Sequence, residues 1–110
     1  MKKGEIWLAE LNPVKGNKQN GQRPVLIVSG NAMNDHFDLV ITCPLSSKVK
    51  NFPGNIILQP DKINGIKEKS EILVFQIRTI SKQRLKVKLG KIGMEDMLKL
   101  EENLLKILRY

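Results

Sequence analysis

Two short stretches carry side chains that could act on a phosphate group. Arg23 follows a polar, glycine-containing segment and precedes a proline and the apolar residues 25–28. Ser46 and Ser47 follow another proline at the end of a second apolar run. A guanidinium offers a planar fork of N–H donors to phosphate oxygens, and its high pKa makes it a stabiliser of negative charge before it is a proton shuttle. Together, the arginine and the hydroxyls predict chemistry on a phosphate.

The residues around Arg23 predict how it is held. Residues 25–28 are all aliphatic and are bounded by turn-forming residues, which is typical of a strand buried on both faces. Pro24 has no N–H and disfavours helical geometry in the residue before it. We therefore expect Arg23 at the beginning of a strand, with the direction of its side chain partly fixed. Residues 39–43 predict another strand, closed by Pro44, so the serine pair should also lie at a strand end.

The charge distribution predicts a polyanionic partner. The 110 residues are enough for one domain, 1–110, and carry a formal net charge of +8. Residues 94–109 hold four acidic and three basic side chains, a net of −1, so the rest carries +9. Basic residues also occupy the two long polar loops near Arg23 and the serine pair, namely Lys15, Lys18, Lys48 and Lys50. Such loops inside a compact domain are usually functional.

The counts of cysteine and histidine exclude several classes of site. One cysteine cannot form an internal disulfide, and one histidine cannot build a metal cluster with it or a histidine pair. Cys43 lies in an apolar run and is expected in the core, whereas His36 lies between acidic residues and is expected at the surface. We expect no cofactor. No apolar run is long enough for a membrane span or a signal-peptide core, so we expect a cytoplasmic protein.

The remaining pattern predicts a mainly β fold with a C-terminal helix. Ser29 and Asn31 are expected to cap a short helical turn, and Ser81 a second one. An apolar stripe that begins at Met94 predicts a terminal helix that docks on the sheet or on a partner. Short alternating or apolar runs predict four more strands, at residues 5–11, 55–58, 72–77 and 85–92. Short strands, turn-rich connections and one final helix describe a small, strongly bent β-sheet or barrel.

Several separated motifs resemble those of MazF/PemK-type toxins, and they span nearly the whole chain. They are Gly4-Glu5-Ile6-Trp7, Asn12-Pro13 with Lys15-Gly16, Gly21-Gln22-Arg23-Pro24, Cys43-Pro44-Leu45-Ser46-Ser47 and Gln76-Ile77-Arg78-Thr79-Ile80. The resemblance implies an SH3-like barrel of the MazF/PemK/CcdB type and a homodimer. It also implies a metal-independent, sequence-specific endoribonuclease that cleaves single-stranded mRNA, and a cognate MazE-like antitoxin with an acidic tail.

The resemblance also implies roles for individual residues. Arg23 matches the catalytic arginine of these toxins, and Ser46 matches their catalytic threonine or serine. Ser47 remains the alternative hydroxyl, because alternation along a strand places neighbouring side chains on opposite sides. Lys18 stands where some relatives carry a glutamate, so a scheme that uses that carboxylate as base does not transfer. The residues expected to bind RNA are Lys15, Lys18, Gln19, Gln22, Ser47, Lys48, Lys50, Gln76 and Arg78.

Two further alternatives stay open at this point. The segment that contains Gln76 could be an ordinary buried strand end instead of part of an RNA groove. The whole domain could also be a noncatalytic toxin or nucleic-acid-binding module, because this fold is reused widely and one relative poisons DNA gyrase by protein binding alone. Turnover of RNA by a catalytic amount of protein distinguishes the enzyme from the binding module.

Overall fold

The structure, a computed structural model, describes residues 1–11 and 21–110. The predictions for Lys15, Lys18 and Gln19 fall outside these described residues. The strands are β1 (Glu5–Glu10), β2 (Gln22–Ile27), β3 (Leu39–Ser46), β4 (Ile56–Leu58), β5 (Ser70–Ile72), β6 (Arg78–Ser81) and β7 (Leu85–Lys91). The helices are α1 (Asn31–His36) and α2 (Met94–Arg109), and two 3₁₀ turns cover Val74–Gln76 and Lys82–Arg84.

The strands form one curled antiparallel sheet in the order β4-β5-β3-β2-β1-β7, with β6 also paired to β3. Strand β3 is the longest and pairs with three others. Its first half pairs with β6, its middle pairs with β2, and its last two residues pair with β5. The mainly β fold with a C-terminal helix is therefore confirmed.

Hydrophobic clusters cover both faces of β2. Leu26 belongs to one cluster, together with Met97 and Leu100 of α2, and Val25 and Ile27 belong to the other. The prediction of a strand buried on both faces is confirmed for these positions. The apolar stripe of α2 docks only in part, since its exposed apolar side chains include Met94, Leu98, Leu105 and Leu108. No described helix is long and apolar enough to cross a membrane.

The loop between β4 and β5 packs tightly on β7. The Lys91 backbone N–H donates to the Ile63 carbonyl at 3.0 Å. A Cβ at Gly65, which has φ +67°, would lie 2.0 Å from the Leu89 carbonyl oxygen, and one at Gly90 would lie 2.1 Å from that of Ile63. Only glycine permits backbones to approach this closely. This loop therefore packs against β7, the strand at one end of the sheet order.

Pro44 does not close its strand, contrary to the prediction, and β3 continues to Ser46. The reason is a change of partner. Residues before Pro44 pair with β6 and residues after it pair with β5, while the Pro44 carbonyl accepts from the Leu73 N–H at 2.9 Å. Pro44, which has no N–H, therefore lies at the point where the pairing of β3 changes from β6 to β5.

The expected strand at residues 72–77 is also wrong, because the 3₁₀ turn Val74–Gln76 separates β5 from β6. The Val74 N–H donates to the Asn55 side chain at 3.0 Å instead of to a neighbouring strand. That partner lies 19 residues away in sequence, out of reach of any local pattern.

The predicted caps are wrong for one turn and confirmed for the other. Helix α1 has Gly30 as its N-cap, and the Ser29 hydroxyl instead accepts from the Ile41 N–H at 3.0 Å. The Ser81 hydroxyl does cap its turn, accepting from the Gln83 N–H at 3.2 Å. Burial at the predicted core position Cys43 raises the pKa of its thiol to about 12.

Candidate functional site

One cavity brings the start of β2 together with the end of β3. Its volume is about 410 Å³, and the β4–β5 loop forms part of its wall. The lining mixes apolar strand residues with basic, acidic, amide and hydroxyl side chains. They are Leu8, Gln22, Arg23, Pro24, Leu45, Ser47, Gly65, Ile66, Lys67, Glu68, Ser70 and Leu89. The predicted residues Gln22, Arg23 and Ser47 therefore meet at one site.

The backbone of Arg23 is held within the sheet. It is the second residue of β2 and pairs with the fully buried Ala9 of β1. Its own side chain is exposed. No carboxylate of the described residues lies within 4.0 Å of its guanidinium. A charged donor fork on an anchored strand, facing a cavity, is suited to binding a phosphate.

The two serines have different surroundings. Ser46 is the last residue of β3, pairs with Glu71 of β5, and its hydroxyl accepts from the Lys48 N–H at 3.2 Å. Ser47 is exposed and lines the cavity with Arg23, whereas Ser46 is not part of the lining. The assignment of Ser46 as the catalytic hydroxyl therefore stays a prediction that must be compared with Ser47.

A buried carboxylate holds the loop that follows the serines. Glu71 is fully buried and accepts from the backbone N–H groups of Lys50, Asn51 and Phe52 at 2.8, 3.0 and 2.9 Å. The Asn55 side chain donates a fourth hydrogen bond, at 2.9 Å. Burial raises the pKa of Glu71, but these four donors outweigh that effect and lower it to about 2. Glu71 is thus charged and fixes the loop that carries Lys48 and Lys50.

The other described residues expected to bind RNA are exposed, but they lie on different segments. Lys48 and Lys50 are exposed on the loop after β3. Gln76 ends the 3₁₀ turn and Arg78 begins β6, and both are exposed outside the cavity lining. The alternative interpretation of Gln76, as part of a buried strand end, is therefore wrong. Their roles in RNA binding stay predictions.

Sequence reasoning missed three features of this region: the cavity residues Lys67 and Glu68, the buried Glu71, and the phenylalanines Phe52 and Phe75. The two rings meet edge to face with centroids 6.2 Å apart. The sequence does show an acidic residue, Glu71, beside an apolar run. The groups that donate hydrogen bonds to it lie 16 to 21 residues away, so no local pattern identifies them. The described residues contain no group of three or more His, Cys, Asp or Glu side chains placed to hold a metal ion.

Known proteins resemble this chain in sequence and in fold. Endoribonuclease MazF of Staphylococcus saprophyticus is 35% identical over 99 residues, which cover 88% of this chain and 82% of the relative. The fold is similar to that of Deinococcus radiodurans MazF, with a TM-score of 0.79, 23% identity, and coverage of 100% and 97% of the two chains. It is also similar to a mycobacterial endoribonuclease solved in complex with its cognate antitoxin, with a TM-score of 0.78, 23% identity, and coverage of 98% and 94%.

The sequence motifs, the curled sheet with its terminal helix and these likenesses agree with one another. The family described as PemK-like, MazF-like toxin of type II toxin-antitoxin system matches residues 2–108, so nearly every element of the fold is included. This chain belongs to that family.

Proposed function

We propose that this protein is the toxin of a type II toxin-antitoxin pair and a sequence-specific endoribonuclease that cleaves single-stranded mRNA without a metal cofactor. Family membership and the 35% identical relative named endoribonuclease support this proposal. The observation that carries it is the cavity that Arg23, on an anchored strand, lines together with Ser47. Because mRNA is the proposed substrate, the proposal places the protein in the cytoplasm.

The proposed reaction is an attack by the 2′-hydroxyl on the adjacent phosphorus. The 2′-oxygen loses its proton and bonds to phosphorus, while the bond to the 5′-oxygen breaks and that oxygen gains a proton. The products are a 2′,3′-cyclic phosphate and a 5′-hydroxyl. Arg23 would stabilise the charge that develops on the phosphate oxygens, and alignment of the reacting groups would supply much of the remaining acceleration.

A serine hydroxyl would assist Arg23 at the phosphate. The family resemblance assigns this role to Ser46, and we retain that assignment. The lining of the cavity favours Ser47 as the competing candidate. The flanking contacts to RNA would come from the predicted basic and amide residues, and Gln22 already shares the cavity with Arg23.

Two protein partners belong to the proposal. An acidic, flexible antitoxin tail would bind the basic body of the domain and compete with RNA. Solved relatives that include a mycobacterial endoribonuclease with its cognate antitoxin and the MazE-MazF complex of Deinococcus radiodurans support a partner of this kind. A second copy of the chain would form a homodimer, and the exposed apolar residues of α2, among them Leu98 and Leu108, support such a contact.

Incubation of the purified protein with a long RNA in excess EDTA tests the function. We expect cleavage at a limited set of sequences, with 5′-hydroxyl and cyclic-phosphate ends, by a catalytic amount of protein. A substrate with deoxyribose immediately 5′ of a mapped scissile phosphate should bind and stay intact. Arg23→Ala is the control for contaminating nuclease. Binding without turnover would instead identify the noncatalytic module, and loss of activity in EDTA with rescue by Mg²⁺ would contradict the metal-independent mechanism.

A further inference from the structure

Two phenylalanines on neighbouring segments leave much of their rings in water. Phe52 lies on the loop after β3 and Phe75 lies in the 3₁₀ turn, and they are 46% and 49% exposed. Their ring centroids are 6.2 Å apart and the ring planes stand at 89°. Neither ring belongs to a hydrophobic cluster of the described residues. Exposed aromatic rings of this kind offer surfaces on which unpaired bases stack.

Both segments are held by hydrogen bonds to Glu71 and Asn55. The Phe52 N–H donates to the Glu71 carboxylate at 2.9 Å. Asn55 joins the two segments, because its amide nitrogen donates to Glu71 at 2.9 Å and its amide oxygen accepts from the Val74 N–H at 3.0 Å. Phe75 follows Val74 directly. The backbone segments that carry the two rings are therefore held before any ligand binds, which lowers the entropic cost of binding.

The charges around the pair suit a nucleic acid. Lys48 and Lys50 are exposed on the loop that carries Phe52, and Arg78 is exposed three residues after Phe75. Cations beside a stacking surface can contact the phosphates on either side of a stacked base. Gln76 adds an exposed amide, a donor and an acceptor, directly beside Phe75.

We propose that Phe52 and Phe75 form a stacking site for one unpaired base of the RNA substrate, and that Glu71 and Asn55 hold the two rings in place. Phe52 lies on the loop that continues from the serine pair, so the proposal has one RNA strand contact both Arg23 and the two rings. The proposal rests on the endoribonuclease function above and assigns a determinant of RNA binding that is separate from the cavity.

The test measures binding of a short RNA that contains one mapped cleavage sequence and a single deoxyribose 5′ of the scissile phosphate. Each position is replaced in turn by an abasic nucleotide. At one position, the abasic change should weaken binding by the wild type about 5- to 150-fold, the range measured for one stacked base. Phe52→Leu and Phe75→Leu should weaken binding of the intact RNA and lose most of that abasic effect, whereas Phe75→Tyr should keep it.

Phe37→Leu is the matched control, because Phe37 is also exposed, at 59%, but lies at the end of α1. It should keep the abasic effect of the wild type. Circular dichroism and sedimentation of every variant establish folding and oligomeric state.

Three results would overturn the proposal. One such result is cleavage of the all-ribose RNA by the wild type while the abasic effect at every position is the same in the wild type and in both leucine variants. In that case the stacking site is wrong and the endoribonuclease function stands. If the leucine changes alter sedimentation and leave every abasic effect intact, the rings form a contact between subunits. If the wild type does not cleave the all-ribose RNA, the endoribonuclease function fails and the stacking site fails with it.

Discussion

The carboxylate of Glu71 accepts a hydrogen bond from the backbone N–H of Phe52 across 2.9 Å, joining the buried strand β5 to a residue 19 positions earlier in the chain. The same oxygen accepts from the Asn55 side chain, and the other oxygen accepts from Lys50 and Asn51. Each of these four donors offsets part of the cost of burying the charge. One side chain therefore holds three consecutive backbone N–H groups of this loop.

Replacement of Glu71 by glutamine should destabilise the fold. The amide keeps one acceptor oxygen but puts an NH₂ group where backbone or side-chain N–H groups now donate. We expect the free energy of unfolding to fall by about 2–4 kcal/mol, because buried donors lose their partner. Urea denaturation measures the change, and Glu68→Gln, at an exposed position, is the control that should differ little. Equal stability of the two variants would contradict the role of Glu71.

Stability should decrease in acid because of Glu71. Its folded-state pKa of about 2 lies below the ordinary value of 4.5, so the charged form is favoured in the native state. The stabilisation is fully present above the unfolded-state pKa and is lost as the pH falls from about 4.5 towards 2, with a magnitude on the order of 3 kcal/mol. Urea denaturation at several pH values should show a shallower acid dependence for Glu71→Gln than for the wild type. Parallel curves would contradict the prediction.

Glu5 should contribute to the same acid dependence. Burial raises its pKa, but hydrogen bonds from the Lys2 N–H, the Trp7 indole and Lys88 outweigh that effect and lower the pKa to about 2. The sign is the same as for Glu71, so Glu71→Gln should retain part of the acid sensitivity. The double variant Glu5→Gln, Glu71→Gln should show the flattest pH profile in the same denaturation series. A double variant as acid-sensitive as Glu71→Gln would exclude Glu5.

Gly65→Ala should disrupt the packing of the β4–β5 loop on β7. The new Cβ would lie 2.0 Å from the Leu89 carbonyl oxygen, and φ +67° disfavours alanine. We expect a loss of at least about 2 kcal/mol in the free energy of unfolding, from strain and displaced backbone. Gly30→Ala is the matched control, because a Cβ there meets nothing within 4 Å and the change costs only the weaker N-cap preference of alanine. Thermal unfolding compares the two, and a wild-type midpoint for Gly65→Ala would show that the close approach is not required.

Arg23→Ala should slow cleavage far more than it weakens binding. Removing one preorganised donor costs roughly a hundredfold to a thousandfold in rate. Arg23→Lys should restore little, because a point charge cannot reproduce the fork of the guanidinium. Binding of the deoxy-substituted RNA should fall less, since Lys48 and Lys50 still attract the backbone. The test compares the single-turnover cleavage rate of each variant with its affinity for the deoxy-substituted RNA. A folded Arg23→Ala variant that cleaves at nearly the wild-type rate would refute the role of Arg23.

The serine variants decide which hydroxyl takes part. If Ser46 acts, Ser46→Ala should slow cleavage, Ser46→Thr should retain it, and Ser47→Ala should matter less. If Ser47 is the more sensitive position, the hydroxyl that shares the cavity with Arg23 is the functional one. Single-turnover cleavage of the mapped RNA provides the measurement, with circular dichroism to exclude unfolding.

Much of the fold could be predicted because it depends on neighbours in sequence. The strands β1 and β7 and the helix α2 each follow an apolar pattern at the period of the element, and β2 follows from a continuous aliphatic run. The position of Arg23 at the start of a buried strand follows from the adjacent proline and aliphatic run, since both act through local sterics. The motifs indicated the family for the same reason, because each is a short contiguous stretch.

What the sequence by itself determined is thus the class of fold, the family and the location of Arg23 on a buried strand. Only the tertiary structure decided that β3 continues through Pro44, that a 3₁₀ turn interrupts residues 72–77, and that Ser47 shares a cavity with Arg23. The physical reason is the range of the interactions involved. Glu71 and Asn55 find their partners 16 to 21 residues away, where no periodic pattern of side chains records the contact.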